Sequence, residues 1–315
     1  MRLALRRLAP AGARGRLTVL IFHRVLERPD PLLPDVPDAA TFERRMRWVA
    51  DWFNVVPLSE AIERLERGGL PERAASITFD DGYADNFRVA CPVLRRLKLP
   101  ATFFVATGFL GGGRMWNDTV IETVRRSPGP RLDLQRFALG VHEIGGIVER
   151  RAAIDAILAA LKYRAPEERA RIVAELATPQ LPTDLMMTPE ELRRLHRAGM
   201  SIGAHTVSHP ILQRLPLEQA RREIAEGRAA LESLIGEPVA LFAYPNGRPG
   251  TDYGPEHVEL VRSLGFSGAV STAWGAWRAG VDRYQVPRFT PWDRTRSRFA
   301  LRLARNFFET ASMAA

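Results

Sequence analysis

The stretch SITFDDGY, residues 76–83, ends a hydrophobic run on two adjacent carboxylates, Asp80 and Asp81. Neighbouring like charges repel, and placing them at the end of a buried strand is costly unless a positive partner sits nearby. The run from Ala75 to Phe79 suits a buried strand, Asp85 to Leu97 has helical spacing, and Ala101 to Val105 is a further apolar run. Strand, helix and strand at this spacing indicate a parallel βαβ unit.

The alternation continues in both directions. Upstream, Leu17 to Phe22 reads as a buried strand, Pro29 to Asp38 as a loop, and Phe42 to Phe53 and Leu58 to Arg67 as helices. Downstream, the spacing predicts strands at Met200 to Ala204, Val239 to Ala243, Gly268 to Ser271 and Gln285 to Phe289. Helices at Pro189 to Ala198, Pro216 to Leu234 and Pro255 to Leu264 alternate with them, and Gly199 is an apt helix stop. Between the halves, after Gly111 to Gly113, Met115 to about Thr183 is mostly helical in character, as in Glu149 to Leu161 and Pro166 to Leu176. This stretch, residues 115–185, is expected to be an insertion rather than an independent domain. About seven strands alternating with helices over residues 17–290 predict an α/β protein with a closed or nearly closed parallel barrel. An open doubly wound sheet is the second choice. No Gly-x-Gly-x-x-Gly follows the first strand, which argues against a dinucleotide site.

Composition sets the outer limits. The chain has 315 residues, 46% hydrophobic and 26% charged, enough to bury a sizeable core. Its formal net charge of +9 leaves an anionic partner open. The cations are nearly all arginines spread along the chain, with only Lys98 and Lys162 as lysines, and no nucleic-acid motif is present. No nucleic-acid partner is expected. The single cysteine, Cys91, excludes an internal disulfide and a cysteine zinc cluster. Residues 1–16 form a basic segment whose apolar stretches are broken by arginine and proline, unlike a signal peptide. No run approaches the ~20 apolar residues of a membrane span. A cytoplasmic location follows as an expectation, with the inner face of the membrane left open. Residues 291–315 form a basic tail predicted to be an amphipathic helix, with Phe299, Leu303 and Phe307 on one stripe. That stripe packs on the body or makes a peripheral membrane contact. The oligomeric state is not fixed by the sequence.

Each chemistry-bearing motif follows a predicted strand. Asp80 and Asp81 follow the second, His205-Thr-Val-Ser-His209 follows Met200 to Ala204, and Tyr244-Pro-Asn-Gly247 follows Val239 to Ala243. In parallel α/β folds those strand ends share one face, where active sites are built. Histidines four apart on a helical turn lie on one side of it. With a carboxylate from another strand end they make a facial metal triad with open positions for water. A divalent cation is then the positive partner of the twin carboxylates. One ligates it, and the other takes a proton from a water the cation acidifies.

Thr78-Phe-Asp-Asp-Gly82 and His205-Thr-Val-Ser-His209 resemble the first two motifs of the polysaccharide deacetylase family, the NodB homology domain of carbohydrate esterase family four. The resemblance runs from about Leu17 to Phe289. It implies a distorted (β/α) barrel, usually seven-stranded, and metal-dependent removal of N- or O-acetyl groups from an acetylated glycan. By motif, it implies Asp80 as general base and Asp81, His205 and His209 as metal ligands. Tyr244 in Phe242-Ala-Tyr-Pro-Asn-Gly247 resembles the third motif, whose backbone N–H helps bind the oxyanion. That match is partial, because the preceding arginine is missing and the order is Tyr-Pro. The family's Leu-x-His near the C-terminus is absent, so the general acid is unassigned. His23, ending the first strand in Ile21-Phe22-His23, is the proposed replacement, since the first strand of a barrel lies beside the last. Arg288 is expected to orient Asp80 in place of the missing arginine, with Asp282 a weaker member of that network. Trp116, Asn117, Asp118, Trp274 and Trp277 are candidates to line a sugar groove, and Trp116 and Asn246 the expected substrate contacts. Two nitrogens and one oxygen suit zinc, with cobalt, nickel or iron as alternatives. The rival functions are a glycan-binding protein with a degenerate site, a non-sugar amide hydrolase on the same fold, and a nucleic-acid or membrane-surface binder.

Overall fold

The computed structural model describes residues 1–314. Among the described residues ten strands form: β1 Arg16–Phe22, β2 Asn54–Val55, β3 Ala74–Phe79, β4 Thr102–Val105, β5 Arg131–Asp133, β6 Val141–Glu143, β7 Ser201–Ala204, β8 Leu241–Ala243, β9 Gly268–Val270 and β10 Trp277–Arg278. The helices are α1 Arg2–Leu8, α2 Ala39–Trp52, α3 Leu58–Glu66, α4 Cys91–Arg96, α5 Trp116–Arg126, α6 Ile147–Lys162, α7 Pro166–Leu176, α8 Pro189–Arg197, α9 Leu217–Ile235, α10 Pro255–Ser263 and α11 Arg296–Asn306.

The main sheet runs β10-β1-β3-β4-β7-β8-β9, and every pairing from β1 to β9 is parallel. Only β10 is antiparallel, against the start of β1. Every residue of β3 is buried, as is all of β1 after Arg16, which explains their continuous apolar character: helices or core cover both faces. The rings of Phe22, Phe79 and Phe103 stack across β1, β3 and β4 at centroid distances of 5.3 and 4.6 Å, fixing the register under the site. The short β2 pairs with the first half of β3 and β4 with the second, one source of the barrel's distortion.

The expected last strand, Gln285 to Phe289, is not a regular strand. Val286 bridges to Val270 of β9 and Phe289 to Leu20 of β1, both in the parallel sense. Pro287 between them has no N–H to donate, so a continuous ladder cannot form. The segment nevertheless spans β9 and β1 and curls the sheet into a distorted barrel.

The segment between β4 and β7 is helical as expected, but it also holds the β5–β6 hairpin. Its apolar residues, among them Val120, Phe137, Ile154, Leu161 and Ile172, form a core of their own. The helix expected from Asp85 begins with a π-helical turn, Asn86–Ala90, before α4. At the ends of the chain, Leu5 of α1 and Phe299, Leu303 and Phe307 of the tail are buried in the main core. The amphipathic stripe therefore packs on the body. Among the described residues, no helix is long and apolar enough to cross a membrane.

Candidate active site

The C-terminal ends of β1, β3, β7, β8 and β9 form one rim around a cavity of about 310 Å³. His23, Asp80, Asp81, His205, His209 and Asn246 all line it, together with Trp116 and Lys162 from the insertion.

Asp80 is buried, and its N–H continues the ladder by donating to the Phe22 carbonyl at 2.9 Å. Its two carboxylate oxygens each accept from Arg288, Oδ1 from Nη1 and Oδ2 from Nη2, both at 2.7 Å. The guanidinium is itself held, with Nε donating to the Ser271 carbonyl at 2.8 Å and Nη1 to Thr78 Oγ1 at 3.3 Å. Burial alone would raise the Asp80 pKa, but the Arg288 charge and the His205 imidazole hold it below the usual carboxylate range. Asp80 is therefore an oriented anion with lone pairs left free on the cavity side. Asp282 does not join this pair. It accepts from the Tyr284 N–H at 3.0 Å and lies 3.5 Å from Arg262.

The chain turns sharply after Asp80. Asp81 has φ of 76° and Gly82 of 90°, both in the left-handed region. A Cβ on Gly82 would lie 2.8 Å from Val105 Cγ1, so only glycine fits. This turn sends Asp81 across the rim to His205 and His209. Asp81 Oδ1 lies 3.4 Å from His205 Nε2 and 3.3 Å from His209 Nε2, and the three ligand atoms fall within 4.8 Å of one another.

The two histidines do not sit on a helical turn, as the spacing suggested. They lie on a loop in which Thr206 and His209 have φ of 66° and 55°. Thr206 Oγ1 accepts from the His209 N–H at 3.1 Å. Glu223 of α9 accepts from the Val207 and Ser208 N–H groups at 3.0 and 2.8 Å. These bonds bring the imidazoles to a centroid distance of 4.8 Å, edge to face. His205 Nδ1 lies 2.7 Å from the Ala243 carbonyl, which can only accept. Nδ1 must carry the proton, which turns Nε2 toward Asp81.

The cluster fits a divalent cation. Asp81 Oδ1 is buried without a hydrogen-bond partner, and both Nε2 atoms converge on it at distances too long for strong hydrogen bonds. Burial pushes His209 down to about 4, so it is a neutral imidazole at neutral pH, the form that ligates. Burial would also lower His205, but the Asp81 and Asp80 carboxylates outweigh it and raise its pKa. Burial works against the Asp81 charge, yet the neighbouring imidazoles keep its carboxyl strongly acidic.

Tyr244 requires correction. Its N–H donates to the Val270 carbonyl at 3.3 Å, continuing the β8–β9 ladder, and its ring stacks on Tyr253 at 3.8 Å in the core. It does not line the cavity. Pro245 has no N–H, so the next amide is that of Asn246, which does line the cavity and has φ of 59°. Thr272 braces this turn, its Oγ1 donating to the Asn246 carbonyl at 2.8 Å and its N–H to the Gly247 carbonyl at 2.8 Å. The missed signal was Pro245 itself, which marks where the ladder must stop.

The expected tryptophans divide. Trp116 lines the cavity, and Asn117 lines it beside Trp116. Trp277 is buried in β10 against β1, and Trp274 packs with Phe289, Trp292 and Arg302 outside the cavity. Asp118 is buried, accepting from the Met115 N–H at 2.9 Å and from Tyr83 Oη at 3.2 Å, and serves the join between barrel and insertion. His257, the only histidine after Tyr244, accepts the Gly254 N–H at 3.0 Å and caps α10.

A distorted parallel barrel with an Asp-His-His cluster beside an arginine-held aspartate defines the class: a (β/α)-barrel protein with three side chains at its strand ends that could hold one cation. Residues 67–269 match the family model of polysaccharide deacetylase, and the chain belongs to that family. The Bacillus subtilis (strain 168) protein YxkH, assigned by its name to the polysaccharide deacetylases, is 22% identical over 87% of this chain and 71% of its own length. The Staphylococcus aureus poly-β-1,6-N-acetyl-D-glucosamine N-deacetylase is 27% identical over 104 residues, 33% of this chain and 36% of that protein. Among solved structures, the Streptococcus pyogenes deacetylase PplD in complex with acetate superposes with a TM-score of 0.62 at 17% identity, covering 92% of this chain and 98% of that one. At that identity the likeness is one of fold.

Proposed function

We propose that this protein is a metal-dependent hydrolase that removes acetyl groups, N-acetyl foremost, from an amino-sugar glycan or glycan precursor. The observation that carries the reading is the pairing of Asp80 with Arg288 beside the three-donor cluster in one cavity. A decayed glycan-binding site would have no need of an anion so oriented. The S. aureus relative is named for an N-acetylglucosamine polymer, and PplD was solved with acetate, which favours an acetyl substrate.

Asp81, His205 and His209 would hold the cation, and zinc suits their two nitrogens and one oxygen, with cobalt, nickel and iron also fitting. A bound divalent cation would polarise the acetyl carbonyl and acidify a water. Asp80 takes the proton of the attacking water, and Arg288 keeps its oxygens aimed. The Asn246 N–H replaces Tyr244 as donor to the developing oxyanion. His23 is exposed at the rim with its carbonyl fixed by Asn86 Nδ2 at 2.8 Å, and it gives a proton to the departing amine. Acetate and a free amino sugar leave, with Trp116 and Asn246 as substrate contacts. The test is mass spectrometry of a panel of acetylated glycans after incubation with metal-loaded protein. Loss of one acetyl mass per site in any of them supports the reading, and no loss across neutral, charged and lipid-linked acetylated glycans refutes it.

A further inference from the structure

Two cations beside the cavity enter no ion pair among the described residues, although the buried Asp252 carboxylate lies near enough to Lys162 to feel its charge. Lys162, one of only two lysines in the chain, lines the cavity with His209 and Trp116. Its near neighbour is the Tyr163 ring, with Nζ 5.4 Å from the centroid, and it enters no ion pair among the described residues. Arg169 of α7 sits over Trp116, its guanidinium carbon 4.9 Å from the ring centroid. Trp116 also borders a second groove of about 680 Å³, lined by Arg114, Arg169 and Ser208 among others. One tryptophan thus separates the cavity from a groove that leads away from it, with a cation on each side.

The structural roles of these residues do not account for their charges. Lys162 ends α6, where any cation suits the helix dipole, but a side chain directed to open solvent would serve equally. Arg169 Nη1 donates to the Lys162 carbonyl at 3.1 Å, a helix-end contact that leaves the rest of its fork without a protein acceptor. Arg169 is partly buried, and that burial lowers its pKa. Glu167 borders the same groove but does not pair with it. The cavity's own carboxylates are engaged elsewhere, Asp80 with Arg288 and Asp81 with the two imidazoles. Half-desolvated, unpaired cations are costly unless a ligand completes them.

We propose that the substrate carries an anionic group, phosphate or carboxylate, next to the acetylated sugar, held between Lys162 and Arg169 with a sugar face on Trp116. This deepens the deacetylase reading and rests on it for the acetylated sugar alone. The probes are three disaccharides: neutral di-N-acetylchitobiose, its 1-phosphate, and a glucuronate-containing N-acetylglucosamine disaccharide. Binding to the metal-loaded full chain is followed by stopped-flow tryptophan fluorescence, which reads association before turnover. At low salt either anionic probe should bind about tenfold tighter than the neutral one, as expected of two partly exposed ion pairs. Which of the two gains more separates a phosphate from a uronate. The advantage should fade with added salt and shrink to near unity in Lys162→Met/Arg169→Met, while Lys162→Arg keeps most of it. Lys162→Met alone, which spares the helix-end contact, should remove about half of it on a logarithmic scale. Equal affinities in the wild-type chain overturn the proposal, as does a preference that survives the double substitution, which would assign it to the general positive charge. If the preference holds but no acetate is released from any probe, the anionic subsite stands and the hydrolase reading is decided by the wider glycan panel.

Discussion

Replacing Arg288 with Met tests the buried pair on which the proposed chemistry rests. Both side chains are essentially inaccessible, at 0% for Arg288 and 3% for Asp80, and their two bonds are 2.7 Å each. Removing one partner of such a pair leaves an uncompensated buried charge, at a cost of about 3–5 kcal/mol. In a chain of this size that corresponds to a melting-temperature loss of roughly 5–10 °C at neutral pH. The pH dependence carries the sharper information. In the wild type, Asp80 has a folded pKa below its unfolded value of about 3.9. The pair's stabilisation is therefore fully present above that value and is lost as pH falls through the folded pKa. In Arg288→Met, burial becomes the dominant influence and raises the carboxyl above its unfolded value. The variant then gains a proton on folding, so its deficit relative to wild type should shrink between pH 7 and pH 5. Urea unfolding followed by circular dichroism at both pH values, with wild type as the reference, reads this directly. A deficit under about 1 kcal/mol at pH 7, or one equal at both pH values, would show that Asp80 is not held as argued. Arg288→Lys should recover charge but not the two-pronged geometry, and so restore more stability than turnover.

Further outcomes follow from the same geometry. Thorough chelation should abolish acetate release and readdition of a divalent metal restore it, while His205→Ala should bind no stoichiometric metal by elemental analysis. Metal retention should weaken as pH falls, first as protons compete for His205, whose pKa is raised, and further as pH approaches about 4, where His209 takes up a proton. Gly227→Ala should lower stability by about 1–3 kcal/mol and loosen metal binding. Its Cβ would meet the Thr206 backbone at 2.8–3.2 Å and push α9 off the histidine loop. His23→Ala should reduce kcat at least about tenfold with KM little changed, as loss of a general acid requires. A kcat within about threefold of wild type would remove His23 from the mechanism.

Much of this architecture was legible beforehand, because strands covered on both faces must be apolar throughout and helices half-covered must be periodic. The strands ending at Phe22, Phe79, Val105, Ala204 and Ala243 were all placed within a residue or two. The segment 285–289 was misread as a regular strand because its pattern ignores the donor that Pro287 lacks. The Asp81, His205 and His209 cluster was legible from motif order, but the loop that holds the two histidines was not, since a spacing of four fits a helix and this turn alike. Tyr244 was misjudged because the sequence does not say which amide the neighbouring strand consumes.

By itself, then, the sequence determined which residue types stand at the ends of which strands, since burial and periodicity are local properties of the chain. The tertiary structure decided which of those residues meet. Asp80 and Arg288 are 208 positions apart and touch only because the barrel closes between β9 and β1. The Ala243 carbonyl chooses the His205 tautomer, the Val270 carbonyl removes Tyr244 from service, and the inserted helices bring Lys162 to the cavity and Arg169 to the groove beside it. Hydrogen bonds and ion pairs act over a few ångströms in space, a separation that distance along the chain does not encode.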